Sequence, residues 1–74
     1  MTLKEIVAKL SNHQDDYEFV YRGKQGAICI FDTKIIAGFD GLEIMVSSLN
    51  ELMTVPFISG KTLAECADEI ELYG

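Results

Sequence analysis

The hydrophobic period of this chain changes twice along its length. Leu3, Ile6, Val7 and Leu10 fall at i, i+3, i+4 and i+7 with Lys4, Glu5 and Lys9 on other faces, so residues 3 to 11 predict an amphipathic helix. Thr2 and Glu5 have the spacing of a capping box at its start. Residues 11 to 16 carry no period and predict a loop. From Tyr17 to Val46 the period becomes two. It is interrupted at Gly23-Lys24-Gln25-Gly26, near Asp32-Thr33-Lys34 and at Asp40-Gly41, which predicts four strands joined by short turns and therefore antiparallel.

Register follows from the turns. Asp40-Gly41 suits a two-residue type I′ hairpin, which sets Phe39 opposite Leu42, Ala37 opposite Ile44 and Ile35 opposite Val46. With Gly23 to Gly26 as a four-residue loop, Arg22 faces Ala27, Tyr21 faces Ile28 and Phe19 faces Ile30. The middle turn admits two registers of the same parity. One face of the sheet then collects Tyr17, Phe19, Tyr21, Ile28, Ile30, Ile35, Ala37, Phe39, Leu42, Ile44 and Val46, the expected core.

Beyond Val46, Ser48 with Glu51 and Thr62 with Glu65 give two more capping boxes, and Val55-Pro56 marks an extended stop between them. A short helix, an irregular link and a last helix are expected. Leu63, Cys66, Ala67 and Ile70 form the apolar stripe of that last helix, with Glu65, Asp68 and Glu69 opposite. The expected fold is α+β: one domain over residues 1–74, a four-stranded antiparallel meander with the first and last helices packed on one face. The helix, strands, helix order superficially resembles small double-stranded-RNA-binding domains, but those need basic helix and loop positions, and the charge here is the reverse.

The second face of that sheet carries Glu18, Val20, Arg22, Ala27, Cys29, Phe31, Ile36, Gly38, Glu43 and Met45. A face that simply met water would be dominated by charged residues and threonine. Val20, Cys29 or Phe31, Ile36 and Met45 instead cross it as an apolar band, with Val20, Ile36 and Met45 expected in line on neighbouring strands. Two readings stay open: the band is an interaction surface or dimer contact, or Met53, Val55, Phe57 and Ile58 fold across it as ordinary core.

Charge narrows the partners. Six Lys and Arg against twelve Asp and Glu give a net charge of −6 over 74 residues, a field that repels nucleic-acid backbones and anionic lipid. Neither nucleic acid nor a membrane is expected as a partner, and no apolar run reaches the roughly 18 residues of a spanning helix. Two cysteines, Cys29 and Cys66, without a Cys-x-x-Cys pair predict reduced thiols and a cytoplasmic protein. The amino-terminal segment reads as an amphipathic helix rather than a signal peptide.

Candidate chemistry is sparse. Ser59-Gly60-Lys61-Thr62 shares the end of a phosphate-binding loop, but the glycine required five residues before Gly60 is Val55, so a helix start capped by Thr62 is expected. His13, Asp15, Asp16 and Glu18 lie close in sequence without a second histidine or cysteine, and read as a solvated turn rather than a metal site. Nothing places His13 against a nucleophile with an orienting third group. No catalytic residue, metal or cofactor is implied. The expected function is therefore a non-enzymatic protein-interaction module acting through Val20, Cys29, Phe31, Ile36 and Met45, on a protein partner or a second copy. The alternatives are an acidic inhibitor or decoy that offers Glu65, Asp68 and Glu69 to a basic site on another protein, and a small enzyme or small-molecule binder around His13 or Lys61.

Overall fold

In a computed structural model of the chain, which describes residues 1–12 and 16–73, hairpin chemistry fixes the centre of the molecule. Helix α1 spans Leu3–Asn12 and is followed by strands β1 (Asp16–Tyr21), β2 (Lys24–Ile30), β3 (Ile35–Phe39) and β4 (Leu42–Val46). Helices α2 (Leu49–Thr54) and α3 (Leu63–Cys66), a 3-10 turn at Ala67–Glu69 and strand β5 (Ile70–Tyr73) complete the chain. The expected α+β order holds, and the sheet gains a fifth strand. Its antiparallel order is β4-β3-β2-β1-β5, so the last strand pairs with the first.

Asp40 and Gly41 have φ of +49° and +85°, the left-handed pair a type I′ turn requires, and β3 pairs with β4 as expected, Phe39 with Leu42 and Ile35 with Val46. The first hairpin differs from expectation. Its turn is Arg22-Gly23, with φ of +50° and +79°, rather than Gly23 to Gly26. Phe19 consequently faces Gly26 instead of Ile30, and Tyr21 faces Lys24. The displacement is even, so every side chain keeps its face. Ser59-Gly60 makes a third turn of the same kind (φ +52° and +80°), closed by reciprocal bonds between Ile58 and Lys61.

Gly26 is the reason for the shift. It is buried in β2 between Phe19 on β1 and Phe39 on β3, and those two rings stack with centroids 5.8 Å apart and planes 12° from parallel. A Cβ on Gly26 would overlap the Phe19 ring and lie 2.8 Å from the Gly38 carbonyl oxygen. Phe57 meets Phe19 edge-on at 6.2 Å, and Tyr21 meets Phe39 at 5.9 Å. Around this aromatic centre the core gathers Ile6 and Leu10 of α1, Leu52 of α2, Phe57 and Ile58 of the link, Leu63 and Cys66 of α3, and Ile70 and Leu72 of β5. Tyr17 Oη donates to the Lys9 carbonyl (2.9 Å) and ties α1 to the sheet.

Two expected core positions fall outside. Leu3 at the start of α1 is 37% exposed, and Leu42, beside the Asp40-Gly41 turn at the end of the hairpin, is 51% exposed. The last helix is also shorter than its apolar stripe predicts. Leu63, Cys66, Ala67 and Ile70 all reach the core, but the helix stops at Cys66, and Ile70 and Leu72 bury their side chains from a strand while Glu71 and Tyr73 face outward. A helix carried on through Asp68, Glu69 and Glu71 would have set three acids against its own dipole, whereas a strand satisfies the edge of β1. The outer edge of β5 is itself covered: the Met1 nitrogen donates to the Ile70 carbonyl (2.9 Å), Met1 Sδ accepts from the Leu72 amide (3.2 Å), and Lys9 Nζ donates to the Leu72 carbonyl (3.4 Å).

The capping boxes at Thr2 and Thr62 are complete, each with the glutamate accepting from the cap amide and the threonine hydroxyl accepting in return. At α2 only half the box forms on Ser48, since Glu51 reaches the Ser47 amide instead (3.4 Å).

Two outcomes are expected. Gly26→Ala lowers stability by about 2 kcal/mol, a melting-temperature drop of about 10 °C, because the cramped position has no slack, whereas Gly38→Ala, whose Cβ meets nothing nearer than 3.4 Å, leaves the thermal melt unchanged. The backbone hydrogen bonds from Thr2 and Thr62 hold the Glu5 and Glu65 carboxyls below their usual value of 4.5. Folded values below unfolded ones mean the caps contribute above that pH and are lost as pH falls through the lowered value, so Glu5→Gln/Glu65→Gln flattens the acid limb of a melting-temperature profile below pH 4.5.

Candidate functional site: the bare sheet face

Helices α1, α2 and α3 all pack into the core on one side of the sheet. Phe57 is 1% exposed and Ile58 fully buried against the same side, and Met53 and Val55 pack partly on that core. The link therefore does not cross the second face, and the reading in which it covers the apolar band is overturned. With one small domain's worth of apolar residues, the chain covers a single side.

The pairing registers lay out the uncovered side as a lattice. One row across the strands reads Met45, Ile36, Cys29 and Asp16. The next reads Glu43, Gly38, Ala27, Glu18 and Tyr73. A third reads Gln25, Val20 and Glu71. None of these side chains is buried. The registers correct one expectation: Val20 is not in line with Ile36 and Met45 but stands two rows away, because the Arg22-Gly23 turn slides β1 along β2. The apolar row is Met45, Ile36 and Cys29, with Met45 66% exposed and Phe31 beyond Cys29 at 48%. Lys34 Nζ stands 5.6 Å from the centre of the Phe31 ring.

Beside the apolar row the sheet is hollow. Gly38 has no side chain and Ala27 only a methyl, and their row forms the floor of a depression of about 470 Å³ lined also by Glu18, Gln25, Leu42 and Glu43. The charged side chains in the three rows, Asp16, Glu18, Glu43 and Glu71, are all carboxylates, and Lys34 stands at the end of the apolar row over Phe31. Arg22, expected at the margin, turns away to hold Glu69 through two bonds of 3.0 and 3.1 Å and lies over the Tyr21 ring at 5.1 Å. Lys24 pairs with Asp40 at 3.1 Å.

Cys29 is half-buried in the apolar row, and burial, the Asp16 charge and a hydrogen bond to Asp16 push its thiol above the ordinary value of 9.0. It is a packing group at neutral pH rather than a nucleophile. Cys66 is buried on the opposite side of the sheet, and both thiols are free.

The other candidate residues do not converge. His13 and Asp15 lie outside the described residues, while Asp16 and Glu18 stand on β1 in different rows of the face. Among the described residues no three histidine, cysteine or acidic side chains meet as metal ligands, and no helix is long and apolar enough to cross a membrane. Ser59-Gly60-Lys61-Thr62 is a hairpin turn followed by the Thr62 cap, as the missing glycine predicts. Lys61 lines a cleft of about 300 Å³ with Tyr21, Arg22, Lys24, Phe39 and Ser59, a lining without a carboxylate or imidazole. Of the acidic trio, Glu65 closes the α3 capping box and Glu69 holds Arg22, and with α3 ending at Cys66 the three no longer share one helical face. Ala27, Gly38, Glu18 and Glu43 are already assigned to this face by the sequence alone, but the Ala27-Gly38 pairing waits on the β2–β3 register, Asp16 on the true register of β1, and Glu71 and Tyr73 on β5. No family model matches this chain, and neither a curated protein nor a solved structure is significantly similar to it.

The thiols provide a check on the two faces. Cys29 reacts with iodoacetamide in the folded protein, slowly at neutral pH, and Asp16→Asn accelerates it by removing the charge that raises the thiol; Cys66 reacts only on unfolding. Equal native rates for the two sulfurs contradict the placement.

Proposed function

We propose that this chain is a non-enzymatic protein-binding module whose contact surface is the bare sheet face centred on Met45, Ile36 and Cys29. The observation that carries this reading is the one-sidedness of the fold: every helix and the whole Met53 to Ile58 link sit on one side, leaving an apolar row on the other with an acidic rim. Contiguous exposed apolar groups of this kind mark contact sites, and a dry centre with a charged margin is the usual anatomy of one. A sheet is normally covered on an apolar face, and here the second cover is supplied from outside the chain. Nucleic acid and anionic membranes are poor partners for a face that sets four carboxylates, Asp16, Glu18, Glu43 and Glu71, against the one lysine at Phe31. The two free thiols suit a reducing compartment, and we assign the protein to the cytoplasm on that ground.

The decoy reading through Glu65, Asp68 and Glu69 has less support, because two of those carboxylates already hold partners within the chain. Salt separates the two: contact through the apolar row persists at raised ionic strength, while contact through exposed carboxylates alone weakens steeply.

The adjacent residues Ile35 and Ile36 point to opposite sides and give the test. Ile35→Lys buries an unpaired charge in the core and unfolds the protein, a loss of several kcal/mol. Ile36→Lys leaves the thermal melt within a few degrees of wild type, as its ammonium reaches water, and abolishes partner binding measured by pull-down at low and high salt. Partner binding unaffected by Ile36→Lys refutes the reading.

A further inference from the structure

We infer that the occupant of this face is a basic amphipathic helix, a partner segment with an apolar stripe flanked by lysine or arginine. The inference rests on the reading of the face as a contact surface and adds the chemistry of what it takes.

Charge selects the sign of the partner. Asp16, Glu18, Glu43 and Glu71 are the carboxylates of the three rows of the face; Arg22 is held by Glu69, Lys24 by Asp40, and Lys34, over the Phe31 ring at the end of the apolar row, is a single cation against those four. A second copy of the chain docked face to face would set four carboxylates and one lysine against the same set, a net repulsion, so the inferred occupant is not this chain. An apolar partner lacking cations would strip water from those acids without replacing it.

Shape selects a helix. An extended segment binds a sheet through its edge, using backbone groups, whereas a face is covered by a helix or by another sheet. The floor made by Gly38 and Ala27 is a shallow, open depression without side chains beyond a methyl, which leaves room for the ridge of a helix about 10 Å across. Glu43 on β4 and Glu18 on β1 close the two ends of that floor, three strand spacings or about 14 Å apart. Two basic residues seven apart on one face of a helix stand about 10 Å apart along its axis, and their long side chains span the remainder. Met45 and Ile36, beside the floor, then receive the apolar stripe lying between those two cations.

The test uses a synthetic helical peptide with leucine at i, i+3, i+4 and i+7 and flanking lysines, titrated into the folded full chain by calorimetry. Two comparators accompany it: the same composition scrambled to destroy the stripe, and the same stripe flanked by glutamate. The lysine-flanked helix binds, the scrambled peptide binds at least about tenfold more weakly, and the glutamate-flanked one shows no binding. Glu18→Lys/Glu43→Lys, at two exposed positions, reverses the preference toward the glutamate-flanked peptide. Equal binding of the scrambled peptide, or an unreversed preference in the double variant, overturns the inference, since attraction would then come from net charge alone. Self-association by sedimentation that Ile36→Lys removes would put a second copy on the face and overturn it too. The two levels fail separately: a face that loses its partner in Ile36→Lys yet binds no lysine-flanked peptide keeps the contact surface and loses the basic helix, whereas peptide binding indifferent to Ile36→Lys removes the surface itself.

Discussion

The contact on which the rest of the molecule depends is the stack of Phe19 and Phe39 across Gly26. Two rings on strands that are not neighbours can meet only if the strand between them offers no side chain at that point, and Gly26 is that point. The stack fixes β1 against β2 and β3 in one register, because sliding β1 by two residues would put Tyr17 or Tyr21 over the glycine and push Phe19 against a filled position. Phe57 then abuts Phe19 edge-on, which draws the link after α2 to this side of the sheet. The location of every helix follows from where that aromatic centre lies.

One-sided cover is the consequence with functional weight. In a chain of 74 residues the helices are short, and their apolar side chains suffice for one layer on one side of five strands. The other side keeps Met45, Ile36 and Cys29 at its centre although nothing in the chain covers them. The same glycine-dependent register that builds the core also positions the hollow on the reverse: Gly38 pairs with Ala27, and Ala27 with Glu18, so the floor and its acidic ends come from three different strands. The core and the bare face are two sides of a single hydrogen-bonded lattice. A change that slipped the lattice would damage both.

Charge is partitioned in the same way. At the turns Arg22 holds Glu69 and Lys24 holds Asp40, and the rows of the bare face carry four carboxylates with one lysine, Lys34, at their end over Phe31. Those pairs are exposed and contribute little to stability. Their effect is on the field, since neutralising carboxylates at the turns leaves the uncompensated negative charge concentrated on the uncovered side.

The sequence by itself determined the element order, the antiparallel meander, the face assignment of almost every strand residue and the starts of the helices. Each of those depends on local physics: period-two alternation, the left-handed demand of Asp40-Gly41, and hydroxyl-to-glutamate spacing at Thr2, Ser48 and Thr62. It also determined that the second face is apolar at its centre, because parity survives an even slip in register. Tertiary structure decided the rest. Arg22-Gly23 and Gly23 to Gly26 are both acceptable turns of the same parity, and only the packing of Phe19 against Phe39 separates them. Ile70 fits the helical stripe of Leu63, Cys66 and Ala67 as well as it fits a strand, and the unpaired edge of β1 made it a strand, bringing Glu71 and Tyr73 onto the bare face. Whether Phe57 and Ile58 covered one side or the other was invisible in a link without period, since their burial is set by a ring on a distant strand and not by any neighbour in sequence.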